Sequence, residues 1–573
     1  MNLQNHMKRS TLFFTISLFL VWGCRPQQPV AVDAYNYPIV KHDTFQHAAV
    51  SSAHPLASEV GRYILEQGGT AMDAAIAVQY ALAVVYPNAG NIGGGGFMVV
   101  HTKEGQSYTI DFREKAPGSA HRDMYLDSLG NADLSKSQNG HLASGVPGSV
   151  AGMELAYNKF GTMDFKKLIQ PAIDLAEKGF TITEREAKGL NRMKTDFVKY
   201  NTQTPAFVKE QPWQDKDTLI QSDLAETLKR IQQHGSKGFY EGETARLIVE
   251  EMKRGGGIIS EQDLKDYVAQ ERKPIVFDYK GYEIITMGLP SSGGLVIQQM
   301  MEMIKPYPIE QYGFQSKEAI NLMVEVERRA YADRTEYMGD PDFVDVPVAK
   351  LVDTMYVRSR MADFTPLQAS RSEHIKAGLV KEKEETTHFS IIDKDGNMVS
   401  LTTTINGAYG SRVVVGGAGF ILNNEMDDFS AKPGVPNKFG LLGTEANSIA
   451  PGKRMLSAMS PTIVKKDGKP YAVVGTPGGS TIITSVFQTL VNLLDFDMSA
   501  YDAVNKPKFH HQWMPDLIYI EKDFDPQARK EVEALGYVFK ERENIGRTEV
   551  LLVRDGKIEA VGDNRGDDSV AGW

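Results

Sequence analysis

The stretch Lys381–Asn406 limits what this chain can fold into more than any other. It opens on five charged residues in a row, Lys381 to Glu385, which no core could bury. It then changes to alternation, with His388 and Ser390 on one side and Phe389 and Ile391 on the other. A period of two predicts a half-buried strand. Asp395-Gly396 predicts a tight turn, and a second strand runs from Met398 to Asn406. A three-residue loop, Lys394 to Gly396, sets Thr386 opposite Thr404; a two-residue loop moves Thr404 one place off. Either way two hydroxyls meet at the far end of the hairpin, beside a solvated, cleavable segment. One reading is a loop that ends at a threonine-rich strand, since Thr favours strands. The other is a threonine nucleophile that frees itself by cutting the chain.

At 573 residues, the usual length prior gives about three or four domains, although layered α/β enzymes often run this long as one unit. With 42% hydrophobic and 24% charged residues the chain is an ordinary globular protein. A net charge of −10 argues against a nucleic-acid surface. Lys8 and Arg9 precede the apolar run Leu12–Val21, which has the length of a signal-peptide core and is too short to span as a helix. It ends at Val21-Trp22-Gly23-Cys24, so residues 1–24 read as a lipoprotein signal with Cys24 as the lipidation site. Arg25 to Pro29 reads as a tether to a bacterial envelope membrane, periplasmic or surface-exposed. Cys24 is the one cysteine, which excludes an internal disulfide and any thiolate metal site in the mature protein.

Several segments predict scaffold. Pro55–Gln67 is an amphipathic helix stopped by Gly68-Gly69, and Ala71–Val85 is apolar nearly all round, hence buried. Gly90 to Gly96 lacks the Lys-Ser/Thr of a phosphate loop and precedes a strand, so close backbone packing is the better reading. Tyr108–Glu114 reads as a strand ending on Arg113, a candidate anion clamp. Asp223–His234 is a helix with Ser222 as N-cap and Gly235 just past its end. Hairpins are expected at Ile275–Thr286 and Thr462–Thr476. His510-His511 point apart on a strand and read as structural.

Three acidic side chains, Glu425, Asp427 and Asp428, follow an apolar strand. A solvated loop is the usual use. A transition-metal site has no nearby histidine, and Ca²⁺ needs more oxygen ligands at loop spacing. A cluster that binds an ammonium group also fits. Lys432 to Gly440 is a Pro/Gly loop of lid-like composition carrying Phe439. Thr476-Pro477-Gly478-Gly479-Ser480 leads from a strand into the apolar helix Ile482–Leu494. That places backbone N–H groups at a helix N-terminus, where negative charge is favoured, as in an oxyanion hole. A plain strand-to-helix turn is the commoner use of Gly-Gly.

Taken together, Asp111–Pro117, Thr386–Asn406, Asn423–Phe429, Pro433–Gly440, Leu456–Thr462, Gly475–Ser480 and Phe509–Trp513 closely resemble the γ-glutamyltranspeptidase family. The resemblance implies an N-terminal-nucleophile hydrolase fold, an α/β protein in an αββα sandwich. It implies self-cleavage between Glu385 and Thr386, giving a large subunit of residues 25–385 and a small subunit of residues 386–573 that form a heterodimer. Cleavage would give Thr386 a free α-amine, whose ordinary pKa of about 7.7–8.0 suits a base at neutral pH. Nucleophile and base then share one residue, and neither metal nor cofactor is called for. By the same resemblance Thr404 orients Thr386, and Gly478 and Gly479 supply oxyanion N–H groups. Arg113 and Ser457 take the α-carboxylate of a γ-glutamyl group; Asn406, Glu425 and Asp428 take its α-ammonium. Ser457-Ala458 stands where many members have two serines, which removes one hydroxyl donor. Phe439 stands where some have a lid tyrosine. The implied substrates are glutathione and other γ-glutamyl compounds, with water, amino acids or dipeptides as acceptors. A related acylase or poly-γ-glutamate transferase, and an inactive amino-acid-binding lipoprotein, are the alternatives; the intact Thr386, Thr404 and Gly478-Gly479 set argues against the last.

Overall fold

The computed structural model describes residues 32–375, 386–432 and 444–573. Cys24, Glu385 and Phe439, the three sites expected in the leader, at the cut and in the lid, lie outside the described residues. Among the described residues two seven-stranded sheets form the centre. The first runs Ser569–Gly572, Ala49–Ser52, Thr386–Ile392, Met398–Thr404, Gly95–His101, Ser107–Asp111, Gln270–Arg272. The second runs His42–Phe45, Lys557–Val561, Glu549–Arg554, Lys469–Gly475, Thr462–Lys466, Tyr282–Thr286, Ile275–Tyr279.

Side-chain alternation assigns the layers. Phe389, Ile391, Val399, Leu401, Met98 and Val100 join the core under the helices Pro55–Glu66, Ala71–Val85 and Phe165–Lys178. The opposite parity, Phe97, Val99 and Met398, packs toward Ile463, Val473 and Leu551 of the second sheet. The same core continues to the helices Gly293–Ile304, Lys317–Tyr337 and Thr481–Leu494. The order is helices, sheet, sheet, helices. The three or four domains suggested by length are not separate here: the first sheet gives one face to each of the two large cores.

The nucleophile hairpin differs from expectation on one point. It is not half-buried; every residue of both strands is buried. Its polar face meets the second sheet instead of water. Ser390 Oγ donates to Glu549 O (3.4 Å), Ser400 Oγ to Val474 O (3.2 Å), and His388 bonds Thr402 Oγ1 (2.9 Å) and Ser390 Oγ (3.0 Å). Burial pushes the His388 imidazole down to about 3, so it is neutral here. The helix at Ser222–His234 also departs: Ser222 is its first residue, and the preceding Gln221 makes no side-chain cap. Gly235 ends it at φ 62°, as its position predicts.

Strands from before and after residue 386 are interleaved in the first sheet, and strands from both parts pair in the second. A chain cut before Thr386 would have to break both ladders to come apart. The two pieces are therefore expected to co-elute in native size exclusion and to separate only in denaturant. Elution as two species in native buffer would contradict this topology.

Candidate active site

The hairpin register is set at its turn. Asp393 Oδ1 accepts from Asp395 N (3.0 Å) and Asn397 N (2.9 Å). Its other oxygen accepts from Ala71 N (2.9 Å), which docks the turn on the first turn of a buried helix. With the turn so fixed, Thr386 pairs with Thr404, the register of the three-residue loop. Their hydroxyl oxygens stand 3.5 Å apart, a long contact for hydroxyls. Thr404 Oγ1 also accepts from Asn406 N (2.8 Å).

Thr404 pairs on its other side with Gly95. The glycine run is close packing, as expected. A Cβ at Gly94 would lie 2.0 Å from Thr404 O, and one at Gly95 would lie 2.6 Å from Glu114 Oε2. The second contact puts the Glu114 carboxyl beside the strand that carries Thr404.

The oxyanion candidates sit at the same end of the sandwich. A Cβ at Gly475 would lie 2.2 Å from the His388 ring, two residues from Thr386, and the chain runs on from there to Gly478. Gly478 has φ 135° and Gly479 φ 65°, conformations that glycine adopts without strain. Among the described residues neither backbone N–H donates to another group. Thr481 Oγ1 donates to Gly478 O (2.6 Å), Tyr331 OH donates to Ser480 O, and Ser480 Oγ donates to Gln512 Oε1 (2.8 Å). Gln512 Oε1 also meets His510 Nε2 (2.9 Å), so His510 is structural, as read, but it braces this turn. His511 pairs with Asp516 (3.2 Å).

The charged cluster is assembled from distant parts of the chain. The strand ends at Asp111, short of the expected Glu114, so Arg113 lies just past it. Asp111 Oδ1 accepts from Arg113 N (2.9 Å), and Tyr267 OH donates to Arg113 O (2.7 Å). The Arg113 guanidinium pairs with Glu425 through Nη1 and with Asp428 through Nη2. Nε and Nη2 also reach Met455 O and Leu456 O, each at 3.4 Å. Ser457 follows directly: its carbonyl accepts from Ser292 N (2.8 Å), and its Oγ accepts from Met459 N (3.2 Å). Glu114 is fully buried and 3.6 Å from Arg113. Sequence reasoning gave Glu114 no role; its place next to Arg113 was the available signal.

Three carboxylates thus surround one guanidinium. Burial holds Glu425 well above the usual carboxylate range and pushes Glu114 up to about 7, with Arg113 opposing the rise in both. Both Glu114 oxygens, Glu425 Oε2 and Asn406 Oδ1 are buried acceptors without a hydrogen-bond partner among the described residues. Four such acceptors in one site call for a donor-rich cation. A cavity of about 1470 Å³ comes up to this region at Gly478 and Asn424; Thr386, Thr404 and Arg113 do not line it.

The family model described as gamma-glutamyltranspeptidase matches residues 57–573. The chain belongs to the gamma-glutamyltranspeptidase family. A glutathione hydrolase proenzyme of Escherichia coli is 46% identical over 568 residues, 97% of each chain. The solved Helicobacter pylori gamma-glutamyltranspeptidase is 46% identical, with a TM-score of 0.56 over 57% of this chain and 94% of that one. A cephalosporin acylase from Bacillus halodurans, 24% identical, superposes with a TM-score of 0.82 over 95% of this chain and 99% of that one. At that identity it bears on the fold alone. The four layers are those of the N-terminal-nucleophile hydrolases, as the resemblance implied.

Proposed function

We propose that this chain is a self-processing γ-glutamyltransferase and glutathione hydrolase with Thr386 as nucleophile. The observation that carries the reading is the set of buried acceptors around Arg113 that lack a hydrogen-bond partner among the described residues, next to the Thr386–Thr404 hydroxyl pair. A γ-glutamyl group ends in an α-ammonium and an α-carboxylate. The ammonium supplies three donors to Glu425, Asp428 and Asn406, with Glu114 as a further acceptor. The carboxylate competes for Arg113, with Ser457 alongside. Clamping that end fixes the γ-carbonyl at the nucleophile.

In the precursor the Thr386 hydroxyl attacks the Glu385 carbonyl, forming an ester and freeing the Thr386 amine; water then opens the ester. The relatives' description as proenzymes supports such processing. In the mature site the amine takes the hydroxyl proton as oxygen attacks the γ-carbonyl. Gly478 and Gly479 N–H groups stabilise the oxyanion, and the protonated amine hands its proton to the leaving amine. Water or an amine acceptor then releases the γ-glutamyl ester. Subunits of residues 25–385 and 386–573, a lipid on Cys24 and an envelope location complete the reading, the last two supported by Lys8, Arg9 and the apolar run before Cys24.

Glutamate release from glutathione tests the function, against an acyl amide that lacks the zwitterion. Release from glutathione alone supports it; turnover of the plain acyl amide alone makes the chain an acylase. Gly478→Ala tests the oxyanion role. Alanine keeps the N–H, but at φ 135° its Cβ would stand 2.6 Å from Thr481 Oγ1, so the turn must shift and carry the donor off its target; kcat of processed protein is expected to fall by as much as the loss of one donor, about 10²–10³-fold. An unchanged kcat would remove Gly478 from the mechanism.

A further inference from the structure

The loop that leaves the Thr404 strand carries three non-glycine residues in the left-handed region: Asn406 (φ 66°), Tyr409 (φ 58°) and Arg412 (φ 68°). Such conformations gather at functional sites. Asn is among the residues that tolerate this region best, and arginine has no such preference. The backbone conformation therefore does not account for an arginine at 412.

The Arg412 guanidinium is under-used. Nη1 donates to Gly410 O and weakly to Gln138 O (3.4 Å). Nε is buried without a hydrogen-bond partner among the described residues. Among the described residues, the one carboxylate paired with it, Asp196, stands 3.9 Å away and is 43% exposed. Arg113, by contrast, is gripped by two buried carboxylates. Burial lowers the Arg412 pKa, with Asp196 and Tyr200 opposing, yet guanidinium stays charged.

Its location is specific. Arg412, Gly407, Asn424 and Gly478 line the same cavity. Arg412 Nη1 lies 3.6 Å from where a Cβ on Gly407 would stand, and Gly407 N donates to Asn424 Oδ1 (2.8 Å). Gly407 follows Asn406, whose N–H binds Thr404 Oγ1 (2.8 Å). Asp427, one of several acidic groups that line the cavity, is held by Ser137 Oγ. The cation is thus one loop turn from the hydroxyl pair, on the wall of the cavity that borders the oxyanion turn. From a γ-carbonyl at the nucleophile, two extended residues reach roughly 7 Å to a terminal carboxylate.

We propose that Arg412 binds the C-terminal carboxylate of the peptide on the far side of the scissile bond, both the dipeptide that leaves glutathione and a dipeptide that arrives as acceptor. This rests on the γ-glutamyl reading above. Leaving and attacking amines pass through the same position, so one cation serves both. Arg412 is then a specificity residue: it sets which amines are favoured and plays no part in the proton transfers.

The test compares wild type, Arg412→Asn, which suits the left-handed backbone, and Arg412→Lys, which keeps the charge. Donors are glutathione, its C-terminal amide and γ-glutamyl-p-nitroanilide; acceptors are glycylglycine and its amide. The ratio of kcat/KM for glutathione to that for the anilide is expected to fall about tenfold in Arg412→Asn, through KM, as befits one lost charge-assisted contact. The preference for glycylglycine over its amide should shrink likewise, with Arg412→Lys intermediate. An unchanged ratio, or equal losses on all donors, overturns the proposal, the latter marking Arg412 as a structural brace. A wild type that turns over the anilide while Arg412→Asn keeps full preference for carboxylates sinks this proposal alone. A wild type that turns over no γ-glutamyl donor sinks the underlying reading with it.

Discussion

Replacing Thr386 with alanine is expected to leave one uncut polypeptide on a denaturing gel and to lower γ-glutamyl turnover by at least about 10⁴-fold. Both effects come from one lost oxygen. The hydroxyl that attacks the chain before Thr386 is the same one that attacks substrate, and without the cut no α-amine forms to act as base. Thr386→Ser separates the consequences of the hydroxyl from those of the methyl: it should still cut and still turn over, at reduced rates. The site around it is buried and paired, with Thr386 and Thr404 each 1% exposed and registered by a continuous ladder. Loss of activity in Thr386→Ala therefore would not reflect a collapsed hairpin, and an unchanged thermal midpoint checks this. A cut, active Thr386→Ala protein would exclude the mechanism.

The second large effect is expected at Arg113. Its guanidinium is 1% exposed and faces Glu114, Glu425 and Asp428. Arg113→Met keeps much of the side-chain volume and removes the charge. Breaking a buried pair by taking away one partner costs about 3–5 kcal/mol, because the other charge stays buried. Burial already holds Glu425 well above the usual range, so the carboxylates will relieve part of the strain by taking protons. KM for a γ-glutamyl donor should rise about 100-fold or more, the equivalent of some 3 kcal/mol of lost carboxylate binding. Adding Glu425→Gln to Arg113→Met is expected to recover stability and not KM. That divergence distinguishes a binding arginine from a structural one. Recovery of both would mean that Arg113 acts only as the partner of Glu425.

The elements around the nucleophile were legible where a local rule was strong. The helix Ala71–Val85 and the hairpin Ile275–Tyr279 with Tyr282–Thr286 stand where periodicity and turn residues put them, and the Thr386–Thr404 register is one of the two that the turn residues allowed. The glycine run could be read as close packing because it lacked the residues of a phosphate loop. What local rules could not give was the partner of each face. Alternation in His388–Ile391 signals one polar and one apolar side; it does not say whether water or a second sheet meets the polar side. Here Glu549 O and Val474 O do. Nor could spacing bring Arg113 to Glu425 and Asp428, 312 and 315 residues away. Resemblance supplied that grouping, and it omitted Glu114, whose carboxyl fills the space that Gly95 leaves. Arg412 had no signature at all in sequence, since its left-handed backbone is visible only in three dimensions.

The most direct measurement is the N-terminal sequence of the smaller fragment of the purified protein. It is expected to begin Thr-Thr-His-Phe, so that the residue paired with Thr404 carries a free amine. A fragment that begins at any other residue, or an uncut chain that still releases glutamate from glutathione, would contradict it.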